Sequence, residues 1–300
     1  MVHILDLRHQ GYKQTIAAFL VETSIGPVLL ETGPFAVHKR LKKEIKKVGY
    51  RLKDIKHVFI THIHLDHAGG AWALAEHGAT IYLHPIGFKH MADPSRLMKS
   101  AKRIYQDTMD SLWGEMKAIP TKQLRTVEHG ETIIIGDQTF QGWHTPGHAK
   151  HHIAWQVGEH LIAGDVAGVK IGDGFTVVPC PPPDIQIEDW IESLNLLRTL
   201  EIKNIYLTHF NHITDIQPHL DAVEYVLWDW ANWIKPYWEA KVSQKEIVPK
   251  FQKYVKKQLR KNGVSDRQLP LYEIANPSWM SVAGLMRYWQ KKSEHQNLES

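Results

Sequence analysis

The sequence predicts an α/β protein that ends in a helical appendage. In about the first 216 residues, short apolar runs alternate with turn signals and amphipathic helical stretches, without a periodic repeat. After that point, apolar residues recur at spacings of three or four, which is the helical period. With 300 residues, 43% of them hydrophobic, the chain is long enough for one large domain or two modest ones with a buried core.

The predicted strands of the first region are short and bounded by Gly, Pro or polar residues. They cover residues 16–21, 28–32, 57–61, 80–84, 132–135, 139–144, 152–157, 160–163 and 205–208. Helices are predicted between them at residues 36–48, 70–77, 86–118 and 188–200. We expect residues 86–118 to form a helical insert in a domain that spans residues 1–216.

The helix predicted at residues 36–48 carries most of a strongly basic stretch. Nine Lys or Arg residues fall within residues 39–56, and Leu41, Ile45 and Val48 lie on the opposite face of the helix. This pattern is typical of a helix with one solvated face. Because the net charge of the chain is only +4, nucleic acid is not the partner we expect.

Residues 217–300 are predicted to form a C-terminal helical extension. The first helix begins near Pro218, and two more cover residues 244–261 and 277–291. The first helix contains Trp228, Trp230, Trp233 and Trp238. Two interpretations of these tryptophans stay open: packing against the main domain, or an apolar wall over a substrate cleft.

The cysteine count restricts the kind of site. Because Cys180 is the only cysteine, a disulfide framework and a cysteine-rich zinc site are excluded, and a metal would need His and carboxylate ligands. The chain has 20 His. No apolar run approaches the roughly 18 residues of a membrane span, and the N-terminal residues lack a signal-peptide pattern. We therefore expect a cytoplasmic protein without a membrane partner.

Three histidines and one aspartate lie within six residues, directly after the apolar strand predicted at 57–61. They are His62, His64, Asp66 and His67, and two glycines follow closely. In an extended chain residues i and i+2 point the same way, so His62 and His64 can hold one ion. Once the chain turns toward a helix, Asp66 and His67 can face a second position. Imidazole and carboxylate suit zinc and also iron or manganese.

Four other polar residues stand at predicted strand ends or in the turns that follow them. His148 closes a Thr-Pro-Gly-His turn, Asp165 follows Ala-Gly, His209 follows Leu-Thr, and Glu31 stands near the end of the strand at 28–32. Each signal is weak alone. Together they place candidate ligands and supporting residues at the ends of apolar strands.

In this order, the motifs resemble those of the metallo-β-lactamase-fold hydrolases. The resemblance covers residues 15–212 and includes every metal position of that family. It implies a four-layer αβ/βα sandwich with its site at one edge of two facing sheets. Residues 1–216 would be the catalytic domain, and residues 217–300 would cover the site, as in glyoxalase II-like thioesterases and related lactonases.

The resemblance also implies which residues hold metal. The first ion would be bound by His62, His64 and His148. The second ion would be bound by Asp66, His67 and His209, with Asp165 bridging the two. Zinc is the metal expected first, with iron and manganese as alternatives.

Three further residues are assigned to the surroundings of the metals or to the pocket. Glu31 stands where the family usually has Asp, and since that acid supports a ligand from outside, the exchange should be tolerated. His152 is expected either to hydrogen-bond a ligand or to pack in an ordinary way. His212 is expected either to line the pocket or to lie in water.

The predicted function is that of a binuclear metal-dependent hydrolase acting on a small-molecule ester, thioester or lactone. Two ions roughly 3.5–4 Å apart would share a water, and the resulting bridging hydroxide would attack the acyl carbon. Asp66 and Asp165 would be the catalytic carboxylates, with Asp66 passing a proton to the leaving group.

The alternatives are an enzyme like the mononuclear iron persulfide dioxygenases, or a phosphodiesterase or ribonuclease of the same fold. The dioxygenases hold one iron with two His and one Asp, and the complete second ligand set argues against that reading. The sequence leaves the substrate and a homodimer open.

Overall fold

The computed structural model describes the backbone of residues 1–299 and the side chains of residues 1–294. Within this part of the chain, twelve strands form two six-stranded sheets. The first sheet contains Val2–Asp6 (β1), Ala17–Thr23 (β2), Gly26–Leu30 (β3), His57–Phe59 (β4), Thr80–Leu83 (β5) and Leu124–Thr126 (β6). Its strands pair in chain order. β1, β2 and β3 are antiparallel, whereas β3 to β6 are parallel.

The second sheet also pairs in chain order. It contains Thr132–Ile135 (β7), Gln138–His144 (β8), Ile153–Val157 (β9), His160–Gly164 (β10), Asn204–Leu207 (β11) and Asn211–Ile213 (β12). All its pairs are antiparallel except β10 with β11, which is parallel.

The helices lie in three groups along the chain. Before the second sheet come His38–Lys47 (α1), Leu65–Ala68 (α2), Ala71–Glu76 (α3), Phe88–Ala92 (α4), Ser95–Tyr105 (α5) and Met109–Leu112 (α6). Ile187–Thr199 (α7) connects β10 to β11. The C-terminal group contains Ile216–Glu239 (α8), Gln244–Lys261 (α9), Leu269–Ala275 (α10) and Ser278–Glu299 (α11). None of the helices in the described chain combines the length and apolar content that crossing a bilayer requires.

Buried apolar side chains collect in three layers, which makes the molecule a four-layer sandwich. The central layer lies between the sheets, where the Phe59 ring stacks on Tyr82 and Phe140 at centroid distances of 4.2 and 4.7 Å. A second layer joins the first sheet to α1, α3 and the helices α4 to α6. The third joins the second sheet to α7 and the C-terminal helices. The four-layer αβ/βα fold expected from the sequence is confirmed.

Strand alternation explains how one sheet serves two layers. In β2, Phe19 and Val21 point into the central layer, while Ala18 and Leu20 point to the helices outside. Both faces are apolar, because the sheet is covered on both sides. This is why the buried strands read as short continuous apolar runs in the sequence.

The C-terminal extension shares its core with the second sheet. Val223, Leu227 and Trp230 of α8 belong to the same hydrophobic cluster as Trp190 and Leu194 of α7. Trp230 is fully buried, and Trp228, Trp233 and Trp238 pack against that cluster. The four tryptophans therefore pack in or against the core that the extension shares with the second sheet.

The stretch expected as one helical insert is broken into separate helices. Pro94 stands between α4 and α5, and a proline disfavours helical geometry at the residue before it. After α5, Gln106 has a positive φ of 47°, which interrupts the helix again. The helical insert expected at residues 86–118 thus contains three separate helices, α4, α5 and α6.

Candidate metal centre

The candidate ligands lie at one edge of the sandwich, where the ends of both sheets meet. His62 and His64 follow β4, while Asp165 and His209 follow the parallel strands β10 and β11. A backbone hydrogen bond from Ile153 N–H to Thr61 O, 2.7 Å long, ties the two sheets together beside the site. The loop after each strand therefore delivers its side chain to the same place.

The first group of donor atoms contains three imidazoles. His64 Nδ1 lies 2.9 Å from His62 Nε2 and 3.1 Å from His148 Nε2. In a tetrahedral zinc site with Zn–N bonds of 2.0–2.1 Å, two ligating nitrogens stand about 3.3–3.4 Å apart. The three nitrogens are therefore spaced almost as the ligands of one ion would be.

The second group combines carboxylate and imidazole. Asp66 Oδ2 lies 3.3 Å from His209 Nε2 and 3.8 Å from His67 Nε2. Asp165 stands between the two groups. Its Oδ1 is 3.3 Å from His67 Nε2, while its Oδ2 is 3.3 Å from His148 Nε2. One carboxylate thus presents an oxygen to each group.

The donor chemistry fits metal ions. His67 Nε2 and Asp165 Oδ1 are buried and have no hydrogen-bond partner, and a buried polar atom without a partner is costly. A cation bound by both groups would satisfy these atoms. The described residues contain three sets of converging ligand atoms that can hold a metal ion, and all of them lie in this site.

Hydrogen bonds from outside fix the orientation of four ligand rings. The Nδ1–H groups of His148 and His209 donate to Pro179 O and Thr15 O, at 2.8 and 2.9 Å. In the same way, His67 Nδ1–H donates to Glu31 Oε2 at 2.9 Å, and His62 Nδ1–H donates to the Thr61 hydroxyl at 3.0 Å. In each ring Nε2 is left free to face the site.

Glu31 is fully buried and accepts hydrogen bonds at both carboxylate oxygens. Thr61 N–H donates to Oε1 at 2.8 Å, and His67 Nδ1–H donates to Oε2. The residue adopts a positive φ of 65°, a strained conformation for a side chain of this size. The structure therefore places Glu31 where it supports a ligand from outside.

His152 supports the carboxylate from behind. Its Nε2 accepts a hydrogen bond from Asp165 N–H at 3.1 Å, and its Nδ1–H donates to the Thr145 hydroxyl at 2.7 Å. Gly164 makes this contact possible, because a Cβ at that position would lie 2.6 Å from His152 Nε2. His152 therefore has the first of its two expected roles, because it accepts a hydrogen bond from the backbone N–H of the ligand residue Asp165.

His212 lies away from the site, and the expectation that it lines the pocket is corrected. The chain turns after His209 into β12, whose register pairs His212 with Tyr206. Its ring stacks on Tyr206 at 4.7 Å, and its Nε2 contacts Asn204 Oδ1 at 2.7 Å. The ring is exposed, as the alternative expectation had it.

The buried charges are mutually stabilising. Although burial opposes a charged ring, the carboxylates of Asp165, Glu31 and Asp66 hold the pKa of His67 well above its usual value. Burial also opposes ionisation of Asp165, but His67, His148 and His209 hold its pKa well below the usual range. A cation at the site would supply the positive charge that protons on these rings otherwise provide to the buried carboxylates.

A cavity of ≈ 450 Å³ opens onto both donor groups. The ligand residues form one end of it. The other walls come from α5 and α6 and from residues 274–280, which close over the site where the Tyr105 hydroxyl donates to Met280 Sδ at 3.5 Å. None of the four tryptophans of α8 lines this cavity, so they do not form the apolar wall that was one of their two interpretations. Other residues, among them Trp113 and Trp279, line the cavity instead.

His9 is a residue of the site that the sequence did not indicate. Its ring is 3% exposed, stacks on Trp113 at 5.3 Å and lines the cavity. Burial lowers its pKa to about 4, so the ring is neutral at pH 7. No local pattern marks it, since it lies in an irregular loop in which Arg8 and Gln10 have positive φ.

Comparison with known proteins gives the family. A family model described as the metallo-beta-lactamase superfamily matches residues 13–209. The metallo-beta-lactamase fold-containing protein ST1585 of Sulfurisphaera tokodaii is 30% identical over 156 residues, which are 51% of this chain and 58% of that protein. The atrochrysone carboxyl ACP thioesterase of Aspergillus fumigatus is 26% identical over 170 residues, which are 56% of this chain and 31% of that protein. The matches thus cover between 31% and 58% of the length of these relatives.

Solved structures show the same fold. The metallo-beta-lactamase family protein TTHA1429 from Thermus thermophilus superposes with a TM-score of 0.65 at 16% identity, covering 97% of this chain and 94% of that one. The matched region contains the motif at residues 62–67 together with His148, Asp165 and His209. The chain therefore belongs to the metallo-beta-lactamase superfamily.

Proposed function

We propose that the protein is a binuclear metal-dependent hydrolase that cleaves an ester, thioester or lactone of a small molecule. The observation that carries the proposal is the position of Asp165. Its two oxygens face two separate donor groups at one end of a cavity, each 3.3 Å from an imidazole nitrogen. Zinc is the metal that this mixture of imidazole and carboxylate favours first, with iron and manganese as alternatives.

Two divalent ions held there would supply an activated water and stabilise negative charge on the acyl oxygen. The chain contributes a proton carrier. Burial opposes ionisation of Asp66, but His67 and His209 hold its pKa below the usual value, so the group is a carboxylate at neutral pH. Asp66 lines the cavity and can accept a proton there and return it to a leaving group.

The remaining residues of the site act by positioning. His152 fixes the backbone of Asp165, and the carbonyl of Pro179 fixes the ring of His148. The lone thiol is not a candidate nucleophile, because Cys180 is fully buried and burial raises its pKa. The hydrolytic step is therefore assigned to water rather than to a side chain.

The relatives support acyl substrates. The fungal relative named atrochrysone carboxyl ACP thioesterase is similar to just over half of this chain. A further relative from Emericella nidulans is named thioesterase pkgB. A thioester reacts at an acyl carbon, as esters and lactones do, so these names favour acyl transfer to water over phosphodiester cleavage.

Metal quantification followed by a substrate panel tests the proposal. We expect two ions per chain and hydrolysis of aryl esters, acyl thioesters or lactones, with activity lost in chelator and restored by zinc. One iron per chain with oxygen consumption would overturn the proposal and favour the persulfide dioxygenase alternative. Cleavage of bis-aryl phosphates alone would favour the phosphodiesterase or ribonuclease alternative.

We also propose a cytoplasmic enzyme that acts on a small molecule without nucleic acid or membrane. A homodimer is part of the proposal, and sedimentation of the purified protein tests it.

A further inference from the structure

The cavity walls away from the metal centre are apolar. Helix α5 turns one face toward the cavity. Its apolar residues there are three or four positions apart, or adjacent: Leu97, Ala101, Ile104 and Tyr105. Its basic residues, among them Lys102 and Arg103, are exposed to water instead. The insert thus keeps its positive charges out of the cavity.

The opposite wall has the same character. Residues 274–280 of the extension contribute Ile274, Trp279 and Met280, and the rigid segment 181–183 contributes three prolines. In the described chain, no Lys or Arg lines this cavity, and its neutral polar groups include Gln10 and Asn276. A cavity of this volume with a predominantly apolar lining is typical of a small-molecule site.

Ile104 marks the rim. It is 48% exposed although it is a large aliphatic residue, and it lines the cavity. An apolar chain entering the cavity would cover this side chain.

We propose that the cavity selects an uncharged, hydrocarbon-rich acyl group and discriminates against acyl groups that carry a remote carboxylate or phosphate. That the ligand is an acyl group rests on the proposed hydrolase function. The preference for an uncharged hydrocarbon chain rests on the apolar lining of the cavity. A remote anion would leave water without gaining a cationic partner, whereas each buried methylene improves binding about fourfold.

A matched pair of substrates tests the selection. p-Nitrophenyl octanoate and the p-nitrophenyl monoester of octanedioic acid have the same chain length and reacting end, and they differ in one remote carboxylate. With the metal-loaded enzyme we expect kcat/KM for the octanoate to be higher by about a hundredfold or more. We also expect kcat/KM to rise steadily from acetate through butyrate to octanoate.

Binding without turnover provides an independent measurement. Octanoate and octanedioate are the corresponding hydrolysis products, and calorimetric titration of the same metal-loaded protein gives their affinities. Each has one carboxylate that can bind the metal centre, so the two molecules differ only in the remote carboxylate. Octanoate should bind at least about tenfold more tightly. Equal affinities would overturn the proposed selection.

Two exposed isoleucines allow a controlled variant experiment. Ile104→Lys places a cation at the rim, and it should reduce the preference for octanoate over the octanedioate monoester by about two- to fivefold. Ile134→Lys is the control, because Ile134 is 74% exposed on β7 and does not line the cavity. It should leave the preference unchanged, and thermal melts of both variants establish that they are folded.

The outcomes separate the two proposals. If no acyl compound is hydrolysed while octanoate binds more tightly than octanedioate, the hydrolase function fails and the cavity assignment stands. If esters are hydrolysed but the octanedioate monoester reacts as fast as the octanoate, the cavity assignment is overturned and the hydrolase function stands. An Ile104→Lys variant with an unchanged preference would also overturn the assignment.

Discussion

Replacing Glu31 by glutamine should weaken metal binding without unfolding the protein. The carboxylate of Glu31 accepts from two buried donors, Thr61 N–H and His67 Nδ1–H. An amide has one acceptor oxygen and one donor group. Whichever way the glutamine amide is turned, a buried N–H group faces another donor. The ring of His67 then loses the partner that orients its Nε2 toward the site.

The size of the effect follows from two independent considerations. Removing a hydrogen bond that orients a ligating histidine typically costs 10- to 100-fold in metal affinity, or about 1.4–2.8 kcal/mol. A buried hydrogen bond to a charged group contributes about 1.5–3 kcal/mol. Both ranges predict a loss of one to two orders of magnitude in affinity.

Competition titration against a chromophoric chelator measures this affinity directly and needs no substrate. Glu31→Asp is the matched control, because aspartate keeps two acceptor oxygens and should bind metal more tightly than Glu31→Gln does. If Glu31→Gln binds metal as tightly as the original protein, or if both variants are equally impaired, Glu31 does not orient His67 for metal binding.

Four other changes have defined outcomes. Asp165→Asn should lower the metal content measured by mass spectrometry and reduce turnover at least about 100-fold, and full activity would exclude a bridging carboxylate. Gly164→Ala should lower the free energy of unfolding in urea by about 2 kcal/mol or more, because φ is +56° there and the added Cβ would lie 2.6 Å from the Thr61 hydroxyl oxygen; an unchanged urea midpoint would contradict this. Burial lowers the pKa of His219 from 6.5 to about 4, so the unfolded chain gains a proton first as pH falls. Up to about 3 kcal/mol of stability present above pH 6.5 should be lost by pH 4, and acid melts of His219→Gln should show a smaller loss than the original protein. Deleting residues 217–300 should prevent folding, because it exposes the core shared with the second sheet; a soluble fragment with a cooperative melt would show that the core is separable.

The centre of the site was predictable because its information is local. His62 and His64 stand two residues apart after a buried strand, so the spacing itself implies that they point the same way. Helices α1 and α9 were predictable for the same reason, since a periodic apolar face and a glycine at or near the end mark them without reference to the rest of the fold.

The rest of the site depends on contacts between distant segments. His9 lies beside the site because an irregular loop holds it there, and the ring stacks on Trp113, which is a hundred residues away in the chain. Tyr105 and Met280 meet across an even larger separation. β1, β6, β12 and α10 were not predicted. β6 and β12 have the sequences Leu-Arg-Thr and Asn-His-Ile, which lack the apolar run that marked the equally short β4.

The two ends of the cavity have different architectural origins. The donor atoms follow strands locked into two sheets, whereas the distal walls come from α5, α6 and residues 274–280. A substitution in those walls leaves the strand ends untouched. Evolution of this chain can therefore change the bound small molecule through substitutions in the helices, while the metal-binding residues stay the same.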